Sequence, residues 1–446
     1  MRNAKSPNVR PMLSDLADFE QIEIILKHES NNLLKKMKRL LTLLFAFAFT
    51  ATVAQTANNS VSIGKVETMH SNLLKEEREI FVYVPEGSGP LFATKHYPVV
   101  YLFDGDAHFH SVTGMIQQLS QVNGNSVLPE MIVVGITNTD RMRDLTPSHD
   151  TEGSGSDRVR DKTSGGGEVF TAFIEKELIP HIDSLYPTAP YRVLIGHSLG
   201  GLMVVNTLFN HTNLFNSYIA IDPSMWWDER KLLKQAEKDL AGKNFDHKTL
   251  FLAMANTMEP TMDTASVRRD TSFSTEHIRS IIEFTDGLKQ NKTNQLNWSS
   301  KYYNEDDHGS VPLMAAYDGL RFIFSFNKFR MPSSDKEFLT FNFVSAIISH
   351  FKEVSKQMGY TVLPSEMLVN DLAYQLLQKK YFDQALRLFE MNIANYPTSL
   401  NVYDSMGDLY DAKGDKQQAM AYFAKALTFG DSPITKAKLE KLKAEK

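Results

Sequence analysis

Short runs of consecutive apolar residues recur between residues 80 and 254, and they constrain the fold more than any other feature of the sequence. Most runs are continuously apolar rather than alternating, which is typical of strands buried on both faces of a parallel sheet. Helical patterns separate them, such as the stripe over 170–185, which Pro180 is expected to bend. This alternation predicts an α/β fold with a mostly parallel sheet and flanking helices. The predicted strands occupy 80–84, 98–103, 131–136, 191–195, 218–221 and 250–254.

After residue 330 the strand pattern stops and a different period appears. Ala385 and Ala419 are 34 residues apart, as are Phe389 and Phe423. This spacing is typical of tetratricopeptide-like helix pairs, in which small residues let two helices touch. We therefore expect a main domain over 55–330, a helical linker over 331–365 and a small all-α repeat region over 366–446. Two units are fewer than a free-standing array usually needs, so the repeats should dock on the main domain. Their expected partner is another protein or a second copy of the chain.

The N-terminal region resembles an export signal. Met37-Lys38-Arg39 precedes an apolar run over 40–49 and a small-residue exit that ends at Ala54. This pattern predicts a signal peptide over 37–54, with residues 1–36 as an extension upstream of the true start at Met37. The mature protein would be periplasmic or secreted and would have no membrane span. An uncleaved anchor is the alternative, although the apolar run is short for a bilayer.

Composition excludes several kinds of chemistry. Lys and Arg total 48 against 53 Asp and Glu, so no broad basic surface is available for nucleic acid. The chain has no cysteine, which excludes thiolate metal sites and a cysteine nucleophile. His108 and His110 lack a cluster of partner ligands, so the sequence predicts no metal site and no cofactor. Covalent chemistry would have to use oxygen or nitrogen.

One pentapeptide, Gly196-His197-Ser198-Leu199-Gly200, lies between a predicted strand and a helical pattern. This is the context of a nucleophile elbow, in which the serine occupies a sharp strand-to-helix turn. We predict Ser198 as the nucleophile and the Leu199 N–H as an oxyanion donor. A second donor is expected from the turn after strand 98–103, at Gly105 or Asp106. The competing interpretation is an ordinary glycine turn.

A serine nucleophile needs a base, and an acid usually orients that base. His308 follows the last strand-like segment, 297–302, and so occupies the position of the base in an α/β-hydrolase. The acid is expected after strand 250–254, which favours Glu259, with Asp263 as the alternative. Both could also be solvated surface carboxylates.

Five segments together resemble the putative esterase family, an α/β-hydrolase group that includes enterobactin esterases and esterase D. The resemblance covers about residues 60–328 and rests on 101–105, 138–147, 196–201, 222–228 and 308–312. It implies Ser198 as nucleophile and His308 as base, with a weak or absent acid in some members. It also places Arg141 and Trp226 near the substrate, although Arg141 could instead pair with Asp144 and Trp226 could pack in the core.

The resulting expectation is an exported serine hydrolase that cleaves a siderophore-type or aromatic ester without a cofactor. A feruloyl or acetyl carbohydrate esterase is the alternative within the same class. A non-catalytic interaction protein that binds through its repeats is the alternative from a different class.

Overall fold

The computed structural model describes residues 61–87, 89–150 and 162–445. The predicted signal peptide over 37–54 and the extension over 1–36 lie outside these described residues. Eight strands form one sheet in the described part. They are β1 (Lys65–Ser71), β2 (Glu76–Tyr83), β3 (Tyr97–Leu102), β4 (Ile132–Ile136), β5 (Thr188–His197), β6 (Ser217–Ile221), β7 (Thr249–Ala255) and β8 (Asn297–Tyr303).

The sheet has the order β1-β2-β4-β3-β5-β6-β7-β8. The pairs β1/β2 and β2/β4 are antiparallel, and the remaining five pairs are parallel. The mostly parallel sheet with flanking helices is confirmed. Strand β1 was not anticipated, because its seven residues, KVETMHS, are mostly polar and lie at the sheet edge.

Helices cover both faces of the sheet. Neighbouring residues of β3 alternate between two apolar clusters, with Tyr101 in one and Leu102 in the other, because successive side chains of a strand point to opposite faces. The helices of the main domain are α1 (Gly105–Ser120), α2 (Arg141–Asp144), α3 (Gly167–Phe173), α4 (Ile179–Leu185), α5 (Leu199–Asn210), α6 (Trp227–Gly242), α7 (Glu276–Gln290) and α8 (Val311–Ile323). No helix in the described ranges is long and apolar enough to cross a membrane.

The predicted helix over 170–185 is interrupted. A π-helical turn, Ile174–Leu178, joins α3 to α4, and Pro180 lies in the first turn of α4. Proline has no N–H to donate to the preceding turn and crowds the carbonyl there, so an irregular turn at this point is expected. The two pieces still bury one common apolar stripe, from Phe170 to Ile182.

The C-terminal region is entirely helical. It comprises α9 (Asp335–Thr340), α10 (Phe343–Met358), α11 (Glu366–Gln378), α12 (Phe382–Asn395), α13 (Leu400–Ala412), α14 (Lys416–Ala426) and α15 (Pro433–Ala444). A Cβ on Gly407 would come within 2.4 Å of the Phe423 ring, so α13 and α14 touch where the 34-residue period predicts a small residue. The tetratricopeptide assignment itself stays a prediction.

The helical region contacts the main domain directly. Glu366, which is buried at the start of α11, accepts hydrogen bonds from the Ala93 N–H and the Ser399 hydroxyl, at 2.9 and 2.7 Å. Ser399 also donates to the Leu91 carbonyl, in the segment that leads into β3. Helix α10 belongs to both parts, because Val354 and Met358 lie in an apolar cluster of the sheet whereas its first turns pack on the C-terminal helices.

The turn that joins β5 to α5 is tightly packed. A Cβ on Gly196 would lie 2.4 Å from the Gly200 carbonyl oxygen, and a Cβ on Gly201 would lie 2.9 Å from the Ile221 oxygen. Both contacts are with backbone atoms, which cannot rotate away. Glycine is therefore required at these positions for steric reasons.

We expect Gly196→Ala to lower the free energy of unfolding by about 2 kcal/mol or more, because the added methyl group overpacks the turn. Gly242→Ala, at the end of α6 where a Cβ meets no atom within 4 Å, is the matched control and should change stability by less than about 1 kcal/mol. Urea unfolding of the two variants measures the difference. Equal stabilities would contradict the crowded turn.

Candidate active site

Ser198 stands at the turn between β5 and α5 in a strained backbone conformation. Its φ and ψ are 59° and −115°, a combination that L-residues rarely adopt. Such strain persists only where the surrounding packing fixes the chain, and here the close contacts of Gly196 and Gly201 do so. The turn presents the serine hydroxyl at the carboxyl end of the parallel strands.

His308, in the loop between β8 and α8, lies beside Ser198. Its Nε2 is 3.1 Å from the Ser198 Oγ, and its Nδ1 is 2.6 Å from the Asp222 Oδ2. A carboxylate can only accept, so Nδ1 carries the hydrogen and donates it to Asp222. Nε2 is then free to accept the serine hydroxyl. The structure thus brings together Ser198 and His308, which lie 110 positions apart in the sequence.

The acid in contact with His308 is Asp222, which directly follows β6. Its side chain is fully buried, and its Oδ1 accepts the Ala255 N–H at 2.9 Å. Burial alone would raise the pKa of this carboxyl, but hydrogen bonds from His277 and His308 outweigh burial and hold the pKa well below its usual range. Asp222 is therefore ionised at neutral pH.

The structure does not bring the predicted acid to the base. Glu259 is exposed in the loop after β7. The alternative, Asp263, is also exposed and accepts hydrogen bonds from Ser266 and Ala265. The sequence expectation placed the acid after β7, whereas the carboxylate that contacts His308 follows β6. Since β6 is the direct neighbour of β5, its carboxyl end lies beside Ser198 and His308.

The two turns that carry the predicted oxyanion donors lie next to each other. Gly105 and Asp106 begin α1 and Leu199 begins α5, so their N–H groups have no partner within their helices. Asp104 and Ser198, the residues that precede these helices, do not cap them with their side chains. These N–H groups are suitable donors for a developing negative charge.

Arg141 connects these two turns. Its Nε and Nη2 donate to the two carboxylate oxygens of Asp104 at 2.6 and 3.0 Å, and Nη2 also lies 3.4 Å from the His197 carbonyl oxygen. The guanidinium is thus engaged by Asp104 and not by Asp144, which accepts from Arg78 and Arg143 instead. Although burial raises the pKa of Asp104, its hydrogen bonds and ion pair with Arg141 bring the pKa below its ordinary value.

A third histidine lies against the base. The His197 ring is 4.5 Å from the His308 ring, and burial together with the neighbouring His308 lowers the pKa of His197 to about 4. His197 is therefore neutral at physiological pH. His197, the last residue of β5, packs against His308.

Within the described ranges, Asp222, His277 and His308 form a group whose ligand atoms lie within 4.8 Å of one another, close enough to surround an ion. The atoms that face one another are already engaged, because each imidazole N–H donates to the Asp222 carboxylate. The arrangement is that of a hydrogen-bonded network, and we assign no metal to it.

An open pocket of about 410 Å³ lies above Ser198 and His308. Trp226 and Phe273 supply aromatic surface, and the remaining lining residues are Ser224, Thr257, Ser274, Glu276 and His277. The structure therefore places Trp226 at the pocket wall, next to the reactive groups. A larger groove, of about 580 Å³, lies between α6 and α7 and does not include them.

Comparison with known proteins gives the family. A family model described as "Putative esterase" matches residues 71–278. A crystal structure of an IroE-like serine hydrolase from Shewanella oneidensis is 32% identical, with a TM-score of 0.61, and the alignment covers 74% of this chain and 98% of that one. The chain belongs to this esterase family.

Curated relatives of the esterase agree with this membership. The siderophore enterobactin esterase of Emericella nidulans is 27% identical over 247 residues, which are 50% of this chain and 81% of the relative. The ferri-bacillibactin esterase BesA of Bacillus subtilis is 30% identical over 190 residues, or 40% and 65% of the two chains. The resemblance to the esterase family is confirmed, and the chain is an ester-hydrolysing enzyme.

We expect Asp104→Asn to destabilise the esterase at neutral pH by roughly 1–3 kcal/mol, because Arg141 loses its charged partner. A depressed pKa in the folded state means that the carboxylate's contribution is complete above its unfolded value of about 3.9 and is lost as the pH falls through the folded value. The stability gap between wild type and variant should therefore shrink below about pH 4. Urea unfolding at a series of pH values measures it, and a gap that widens in acid would contradict the ion pair.

Proposed function

We propose that this chain is an exported serine hydrolase that cleaves carboxylic esters through an acyl-enzyme. Ser198 is the nucleophile, His308 the general base and Asp222 the acid. The observation that carries the proposal is the continuous hydrogen-bonded path from the Ser198 hydroxyl through His308 to the buried Asp222, at the floor of an open pocket. Export rests on the sequence pattern over 37–54 alone.

The geometry supports the two half-reactions in turn. His308 takes the Ser198 proton at Nε2 as the oxygen attacks the ester carbonyl, and Asp222 stabilises the imidazolium that forms. The negative charge on the carbonyl oxygen is stabilised by the N–H of Leu199 and by that of Gly105 or Asp106. His308 then protonates the leaving alcohol, which leaves an acyl group on Ser198. In the second half-reaction His308 activates a water molecule, and hydrolysis of the acyl-enzyme restores the serine.

Within this class we propose a siderophore-type or aromatic ester as substrate. The aromatic side chains of Trp226 and Phe273 on the pocket wall suit a planar ring. The relatives in Emericella nidulans and Bacillus subtilis, whose names describe siderophore esterases, support the same class. Phe273 is 45% accessible, so its ring is available to contact a substrate.

The purified chain without residues 1–54 should hydrolyse a catecholate siderophore ester faster than a feruloyl or acetyl sugar, and Ser198→Ala should abolish all turnover. Loss of the nucleophile removes the covalent path, so rates should fall by a factor of about 10⁴ or more. Liquid chromatography of the released acid measures each rate. A preference for the acylated sugar would overturn the substrate assignment.

Labelling by a fluorophosphonate probe separates an enzyme from a binding protein. Wild type should label and Ser198→Ala should not, because the probe reacts with an activated serine. If folded wild type does not label, the hydrolase assignment fails.

The acid is tested by a pair of variants. Asp222→Asn should lower kcat by about 10³–10⁴-fold, because the amide favours the wrong His308 tautomer and does not stabilise its cation. Glu259→Gln is the matched control and should retain near-normal kcat, since Glu259 is exposed in its loop. His308→Ala should abolish turnover with the fold intact. Steady-state kinetics on a nitrophenyl ester measure all three, and a larger loss in Glu259→Gln than in Asp222→Asn would transfer the acid role to Glu259.

A further inference from the structure

Asp222 accepts hydrogen bonds from two histidines, and the hydrolytic mechanism uses only one of them. The Nε2 of His277, in the first turn of α7, lies 2.8 Å from the Asp222 Oδ2, the same oxygen that His308 contacts at 2.6 Å. The two imidazole rings are 5.1 Å apart and nearly perpendicular. His277 and His308 therefore contact one oxygen of the acid side by side, and both line the pocket above Ser198.

Trp226 determines which nitrogen of His277 carries the hydrogen. The indole Nε1 lies 2.9 Å from the His277 Nδ1, and an indole N–H can only donate. The Nδ1 is thus the accepting nitrogen, and the hydrogen lies on Nε2, where it points to Asp222. His277 can therefore donate to the acid while it remains uncharged.

The acid needs this second donor because no lysine or arginine of the described residues is paired with it. The Asp222 carboxylate is buried, and its hydrogen-bond donors in the described structure are the Ala255 N–H and the two imidazoles. A buried carboxylate without enough donors is costly and tends to take up a proton. The hydrogen bond from His277 is among the interactions that hold the pKa of Asp222 low.

On the basis of the proposed function, we infer that His277, held in its Nε2–H form by Trp226, is a positioning residue that keeps Asp222 ionised and aligned with His308. Because both histidines share one carboxylate oxygen, His277 also limits how strongly Asp222 attracts a proton onto His308. The relay thus extends from Ser198 to Trp226 through three intervening side chains.

Three titratable groups of the described residues contact His308. They are Asp222 at the end of β6, His277 of α7 and His197 at the end of β5, and Asp307 precedes His308 in its own loop. His277 faces Asp222 and His308, and its neighbour Glu276 is paired with Arg230 of α6.

Three substitutions of His277 separate a donor role from a structural one. Gln has an amide N–H that can reach the Nε2 position, Asn has the same amide one carbon shorter, and Leu matches Gln in size without a donor. We expect His277→Leu and His277→Asn to lose about 10–100-fold in kcat/KM at neutral pH, the usual effect of removing a hydrogen bond to a charged group. His277→Gln should remain within about fivefold of wild type.

The pH dependence of kcat/KM separates the two roles of His277, because a purely structural role would leave this dependence unchanged. In His277→Leu, Asp222 has one donor fewer, so its carboxylate interacts more strongly with the Nδ1–H of His308. The acid limb of kcat/KM should therefore move to higher pH in the Leu and Asn variants and stay near its wild-type position in the Gln variant. His211→Leu is the control for loss of a histidine outside the site. The His211 ring pairs with the exposed Glu168, and its replacement should leave both rate and profile unchanged.

Nitrogen NMR of histidine-labelled protein tests the role of Trp226 independently of activity. Wild type should show the His277 ring in the Nε2–H form at neutral pH, and Trp226→Phe should lose this preference. A wild-type signal in the Nδ1–H form would overturn the inference, as would equal rates and unshifted profiles in all three His277 variants. If wild type itself shows no Ser198-dependent turnover, the proposed function fails instead, and the NMR measurement still decides the hydrogen-bonding of His277.

Discussion

The structure depends on an ionised carboxylate held in a place from which water is excluded. Asp222 lies at the carboxyl end of β6 with no exposed surface. The free energy needed to bury an unpaired charge there would exceed the free energy of unfolding of most domains. Three separate elements therefore converge on it: the last residue of β7, the first turn of α7 and the loop after β8. The same contacts bring His308 to Ser198. The hydrogen bonds that stabilise the buried Asp222 therefore also assemble the site.

Backbone packing provides the second condition. The turn at Ser198 is possible because glycines at 196 and 201 allow the chain to pass against Gly200 and Ile221. The turn at Asp104 is similarly tight, since a Cβ on Gly105 would lie 2.5 Å from the Gly135 carbonyl carbon. Arg141 contacts both turns. It thereby links the turn that carries the N–H groups of Gly105 and Asp106 to the turn that carries the N–H of Leu199. Its guanidinium is engaged by Asp104 and the His197 carbonyl oxygen, so these contacts account for Arg141 without a bound substrate.

Sequence reasoning was most successful where the signal is local. The elbow could be recognised because strand, turn and helix follow one another within a few residues, and the apolar runs predicted six strands of the sheet close to their observed bounds. The carboxylate that contacts His308 could not be located in this way, because Glu259 and Asp222 both follow apolar strands, and only the strand order shows which of the two lies beside Ser198. His277 and β1 were missed for related reasons. A histidine at the start of a helix carries no local mark of a distant carboxylate, and a polar edge strand lacks the apolar run on which the other strands were predicted.

Helix α10 contributes to two apolar cores. Its first turns contribute Phe343 and Ile347 to the core of the C-terminal helices, whereas Val354 and Met358 close one face of the sheet. A helix that contributes side chains to two apolar cores is part of both cores and does not act as a flexible linker. We therefore expect the helical region and the α/β part to unfold together, because removal of either part would expose apolar side chains of α10.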